Sequence, residues 1–171
     1  KAKHSLASGT ISPRKRPEIT QGMTEKAIAG CGNLYITVNY DSSGICEVFT
    51  NLGKGGGCPS QTEATSRLVS LALRSGISAD SVIEQLKGIR CPSTLSKKSK
   101  GENVRVLSCP DAIARTLEKV MNIAVNESNG HNLDEIAEEI EKMYIKKERA
   151  KRNECPECGG KLEYEGGCVL C

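Results

Sequence analysis

The sequence predicts an α+β fold: a β-hairpin or small antiparallel sheet covered by helices, then a helical spacer and a C-terminal zinc-ribbon-like cysteine module. Three observations carry that reading. The stretch NLYITVNYDSSGICEVFTNL alternates apolar and polar residues on both sides of Asp41-Ser42-Ser43-Gly44, the mark of two strands joined by a short turn. Segments after it repeat apolar residues at helical spacing. The chain closes on CPECGGKLEYEGGCVLC, two CxxC pairs within seventeen residues.

A chain of 171 residues has material for one ordinary domain and a small appendage. Trp is absent, Phe occurs once and Tyr four times, so the core must come from Leu, Ile, Val and Ala. Nine cysteines, an odd number, occur without a signal peptide and favour thiolate ligands in a reducing cytoplasm over a secreted disulfide framework. No apolar run approaches the roughly 20 residues of a bilayer span. A net charge of +3 is too mild to imply nucleic acid. Starting on Lys1 and stopping on a candidate ligand, the chain reads as a piece of a longer polypeptide.

Residues 1–23, rich in Ser, Pro and basic side chains, read as a flexible basic arm, with order beginning near Thr24. Residues 24–125 read as the α+β body. In its hairpin Leu34, Ile36 and Val38 share one face, and Cys46 and Val48 share another, which makes Cys46 a small buried hydrophobe. A first helix is predicted from Ser60, capped through Glu63, with Ala64, Leu68, Leu71 and Ala72 as its buried stripe and Gly76 as its end. Ser78 caps a second helix with Val82, Ile83 and Leu86 inward and Gly88 after it. Ser93 to Gly101 reads as a lysine-rich surface loop, and Val104 to Leu107 as a short strand. Pro110 and Asp111 open a third helix. Residues 126–153 form the charged helical spacer, with Ile136, Ile140 and Met143 as a thin stripe, and residues 154–171 the cysteine module.

That module is the strongest local signal. Cys155, Cys158, Cys168 and Cys171 have the spacing of two knuckles closing tetrahedrally on Zn²⁺, and seventeen residues with so few apolar groups need a metal to order them. Cys168 and Cys171 could instead form a redox dithiol. A second, more dispersed candidate metal or thiol cluster is Cys31, Cys58, Cys91 and Cys109. Each lies beside Gly or Pro at the end of a predicted element, and buried small thiols are the plain alternative. The GKGGG run does not fit a Walker loop, because Val48 and Gly55 occupy places that require Gly and Ser or Thr. Lys54 with the amides of Gly55 to Gly57 remains a loose anion cradle. In the terminal module Lys161 faces Glu154, Glu157, Glu163 and Glu165, a balance that would repel a nucleic-acid backbone.

The blocks ITQGMTEKAIAGCGNLYITVN, EVFTNLGKGGGCPSQTEATSRLVSLALRSG, EQLKGIRCP and LSCPDAIA resemble the TSCPD domain at the C-terminal end of adenosylcobalamin-dependent (class II) ribonucleotide reductases. The resemblance runs from Pro13 and Pro17 to Cys171, with Leu107 where the naming motif usually has Thr. It implies a parent enzyme, a ribonucleoside-diphosphate reductase, that makes 2'-deoxyribonucleotides for DNA synthesis through a cysteine thiyl radical generated from adenosylcobalamin. Electrons then return through C-terminal cysteines from thioredoxin or a similar reductant. The barrel, the cobalamin site and the radical cysteine lie upstream, so no residue of this chain is the radical-forming catalyst. The implied partners are that barrel in the same polypeptide, the thioredoxin-like reductant and the parent enzyme's ribonucleotide substrate. Two roles follow for this region. It is an accessory tail that assists electron delivery through cysteines, with Cys168 and Cys171 as the candidate shuttle, or a metal-stabilised module that docks on the barrel or a partner without chemistry of its own.

Overall fold

The structure is a computed structural model that describes residues 11–53, 58–127, 138, 142–143, 163–165 and 168–170. It has two compact units, residues 1–121 and 122–171. The first is α+β. Strands β1 (Gln21–Ala29), β2 (Gly32–Asp41) and β3 (Gly44–Leu52) form an antiparallel sheet in that order. Helices α1 (Pro59–Arg74), α2 (Ala79–Leu86), α3 (Pro92–Ser99) and α4 (Cys109–Glu127) follow, α4 running on past the boundary between the units.

The β2–β3 hairpin is the predicted one. Gly44 takes a φ of 104°, which suits a residue without a side chain, and Asp41 Oδ1 accepts the Ser43 N–H across the turn. Leu34, Ile36 and Val38 are fully buried with Cys46 and Val48, so one sheet face makes the core. On the helical side Val69, Leu73, Val82, Ile83, Ile113, Leu117 and Val120 complete the cluster. Cys46 lies in that core, its Sγ 3.4 Å from the Asn39 carbonyl, and burial pushes its thiol pKa up.

Five local expectations need correction. Order does not wait for Thr24: β1 begins at Gln21 and pairs with β2 from Gln21↔Tyr40 to Ala29↔Gly32. Its alternation is masked by Glu25, which points inward to accept from Thr116 and Lys119 of α4. The first helix starts two residues earlier than predicted, with Cys58 rather than Ser60 at its cap position, Pro59 in its first turn and no side-chain cap. Its buried residues are Thr62, Ser66, Val69, Ser70 and Leu73, not the stripe of Ala64, Leu68 and Leu71. Ser93 to Gly101, expected to be a loop, is mostly helical, α3 covering Pro92–Ser99 with Pro92 at its start, and Val104 to Leu107 is not a strand, with Val104 and Val106 buried and Arg105 exposed.

The arm has neither helix nor strand from residue 11 to residue 20, yet it is anchored. The Arg14 N–H donates to the Arg74 carbonyl at 2.9 Å, its guanidinium forms a forked pair with Asp41, and Arg16 pairs with Glu47. In the second unit, β4 (Glu163–Glu165) and β5 (Cys168–Leu170) form an antiparallel hairpin in register Tyr164↔Val169. The rest of the zinc-ribbon expectation, with Cys155, Cys158 and Cys171, and most of the helical spacer lie outside the described residues. Among the described residues no helix is long and apolar enough to cross a membrane.

Candidate functional site

Four cysteines stand at element ends, and the sequence explains why. Cys31 sits in the β1–β2 turn between Gly30 and Gly32. Gly30 is obligatory by contact: an added Cβ would meet the Thr94 nitrogen at 2.3 Å and the Ser93 carbonyl carbon at 2.4 Å. With no side chain there, the turn presses onto the first turn of α3, and the Gly30 N–H donates to Thr94 Oγ1 at 3.0 Å. That approach brings Cys31 Sγ to 3.8 Å from Ser93 Oγ, two residues from Cys91.

Cys91 occupies the cap position of α3, with Pro92 behind it. Its N–H donates to the Leu107 carbonyl at 2.9 Å, which ties the α3 mouth to the segment leading into Cys109. Cys109 is the first residue of α4, and Cys58 caps α1. Three of the four thiols therefore lie at helix N-termini, where exposed N–H groups and the helix dipole favour a thiolate.

Cys91 shows that effect. The backbone N–H of Thr94, helped by that of Ser93, lowers the Cys91 thiol below its ordinary value despite some burial. Cys109 is raised, first by burial and then by the charge of Cys31, Cys91 and Cys58. The charges of the other three thiols thus rank below burial as causes of that shift. All four are free, with Cys58 exposed and the others half-buried. Among the described residues, however, no three Cys, His, Asp or Glu groups already stand at metal-centre spacing. The donor set itself, four sulfurs and nothing harder, is the set that Zn²⁺ takes in structural sites.

The segment Leu107-Ser108-Cys109-Pro110-Asp111 positions this cluster, and sequence reading assigned it too little. Ser108 Oγ accepts the Asp111 N–H, capping α4. Asp111 is fully buried: its carboxylate accepts from the Gly88 N–H, the Leu107 N–H and Arg115 Nε at 2.8–2.9 Å. It thereby locks the end of α2 and the approach to α4 together. Residue 107 takes part through its backbone alone in these bonds, so Leu107 serves where the family motif usually has Thr. An Asp inside a first turn reads as a dipole partner from sequence, and only its burial reveals the hub.

Of the remaining candidates, Cys168 lies on β5 opposite Glu165, while Lys54 and Gly55 to Gly57 are outside the described residues. No curated protein and no solved structure matches the chain. The TSCPD domain family matches residues 8–121, which span the sheet, all four thiols of the cluster and the Asp111 hub. By that match the chain belongs to the TSCPD domain family, a domain found in class II adenosylcobalamin-dependent ribonucleotide reductases.

Proposed function

We propose that this chain is the C-terminal accessory region of a cytoplasmic adenosylcobalamin-dependent ribonucleotide reductase, and that Cys31, Cys58, Cys91 and Cys109 hold one structural Zn²⁺. The zinc reading is supported by the placement of these thiols at element ends: Cys31 Sγ lies 3.8 Å from Ser93 Oγ at the mouth of α3, the Cys91 N–H holds the Leu107 carbonyl two residues before Cys109, and the Cys109 thiol is raised by burial first and then by the charges of the other three. A divalent cation would hold these groups as thiolates and relieve the repulsion among them. The metal would join the β1–β2 turn to the mouths of α1, α3 and α4, an anchorage suited to a core without Trp, the one Phe of the chain lying 43% exposed. Cys155, Cys158, Cys168 and Cys171 supply a second zinc in the terminal module. The cofactor adenosylcobalamin, the ribonucleotide substrate and the thioredoxin-like reductant belong to the parent enzyme, on whose barrel this region docks.

A second reading, electron delivery, is favoured by the lowered thiol of Cys91 beside the raised thiol of Cys109. In it Cys91 attacks the catalytic disulfide of the parent enzyme to give a mixed disulfide. Cys109 then resolves that bond, leaving two reduced thiols on the enzyme and a Cys91–Cys109 disulfide for a dithiol donor to reduce. Two electrons and two protons move in each exchange.

Metal analysis with thiol titration separates the readings. On anaerobically purified chain we expect two zinc ions, one lost in Cys109→Ser and the other in Cys155→Ser, with thiols masked until a chelator is added. A metal-free body whose Cys91 and Cys109 titrate freely and re-form a disulfide would replace the zinc assignment by the relay.

A further inference from the structure

Helix α1 has two faces, and the fold uses one. Thr62, Ser66, Val69, Ser70 and Leu73 turn inward, whereas Leu68 stays 66% and Leu71 44% exposed. With exposed Ala64 they make a stripe at spacings of four and three, the pattern by which one helix receives another. Beside it the chain's only phenylalanine, Phe49, is 43% exposed. Between α1 and β3 runs a groove of about 650 Å³ whose lining includes Phe49, Leu68, Leu71, Arg16, Arg67 and Arg74. Single exposed apolar residues need no explanation, but a contiguous set around a groove does.

The charge of this groove has a sign. Arg67 is matched by Glu63 in an exposed pair four residues apart, a contact of little strength. Arg74 donates to the Ser70 carbonyl and forms no ion pair among the described residues. Arg16 lies over the Phe49 ring, 5.0 Å from its centre, and pairs with Glu47. Glu47, in the groove wall, is only 3% exposed, and its Oε2 has no hydrogen-bond partner. The charge open to solvent is therefore mainly cationic, the Glu47 carboxylate being closed off from it.

We propose that this groove docks an acidic amphipathic helix of a partner protein. Aliphatic side chains of that helix meet Leu68, Leu71 and Phe49, and its carboxylates meet Arg67 and Arg74. An extended strand is disfavoured because the outer edge of β3 is already covered: Ser70 Oγ accepts the Val48 N–H at 2.9 Å and lies 3.1 Å from the Val48 carbonyl. A second copy of this chain is disfavoured because a two-fold contact sets the same arginines against each other.

The test titrates two synthetic helices of about four turns onto the full 171-residue chain, both with a leucine stripe, one flanked by Glu and one by Lys. The Glu peptide is expected to bind more tightly and to weaken with salt. Leu68→Asp and Arg74→Glu should each reduce its affinity at least roughly tenfold, the loss carried by one hot spot. Both positions are open enough for the variants to fold, which an unchanged melting curve verifies. Equal binding of the Lys peptide, or indifference to Leu68→Asp, would overturn the proposal. So would a dimer that Leu68→Asp converts to monomer, because a second copy would then be the occupant.

Discussion

Among single residues, Asp111 concentrates the most structure in one side chain. Its carboxylate serves two backbone donors and one guanidinium in a fully buried position. Asp111→Ala withdraws that acceptor at once, and buried donors left without partners are expensive, so the loss should be about 3 kcal/mol. Asp111→Asn, which keeps one acceptor oxygen, should lose less. Urea midpoints for the two variants check the order. A loss under about 1 kcal/mol for Asp111→Ala would mean that water replaces the carboxylate and that the hub is not structural. Gly30 illustrates the opposite constraint, in which packing depends on a missing side chain. Only its bare backbone lets Cys31 approach the mouth of α3.

At the scale of elements, the sequence was most legible where burial follows simple period. Leu34, Ile36 and Val38 alternate cleanly, and Ser78 caps α2 as its pattern requires. Helix α1 was misread because its inward face is built largely of hydroxyls. Ser70 bonds the free edge of β3, and Thr50 Oγ1 lies 3.2 Å from both the Thr62 carbonyl and Ser66 Oγ. An apolar period cannot reveal a helix that closes a strand edge with Ser and Thr. Strand β1 was missed through Glu25, and α3 through its lysines, since ion pairs and a proline start leave no hydrophobic trace. The four body thiols were legible only as element ends marked by glycine and proline; that the Cys31 turn meets the mouth of α3 at Ser93 appears only in the fold. Ser70→Ala tests the edge-closing role. It leaves the Val48 N–H without its acceptor and should destabilise the protein by about 1–3 kcal/mol, whereas Ser99→Ala, on an exposed turn, should cost almost nothing. Equal denaturation midpoints for the two variants would remove hydroxyl closure as the reason for this face of α1.

For the whole molecule, the relevant question is how far the body stands on its own. The buried apolar core runs from Ala27 to Val120, and the family match ends at residue 121. Its edges are tied by the arm, whose Arg14 lowers the Asp41 pKa from its ordinary value of 3.8 through their hydrogen bonds. A carboxylate lowered on folding contributes stability above its unfolded pKa and loses it as pH falls through the folded value. Asp41→Asn should therefore weaken the protein at neutral pH and flatten its acid unfolding below about pH 4, as thermal melts across pH 2–6 would record. An unchanged acid limb would place the acid sensitivity in other carboxylates. The sharper test is truncation after Glu127, which keeps β1 to β3, α1 to α4 and the four body thiols. If the first unit folds autonomously, the shortened chain should melt within about 4 °C of the full one, since about 1 kcal/mol moves a domain of this size by that amount. It should also keep the zinc assigned to Cys31, Cys58, Cys91 and Cys109 while losing that of the terminal module. A much lower melting point with the body zinc retained would show that residues 128–171 stabilise the body by contact. Loss of both metals would mean that the two cysteine sets are not independent sites.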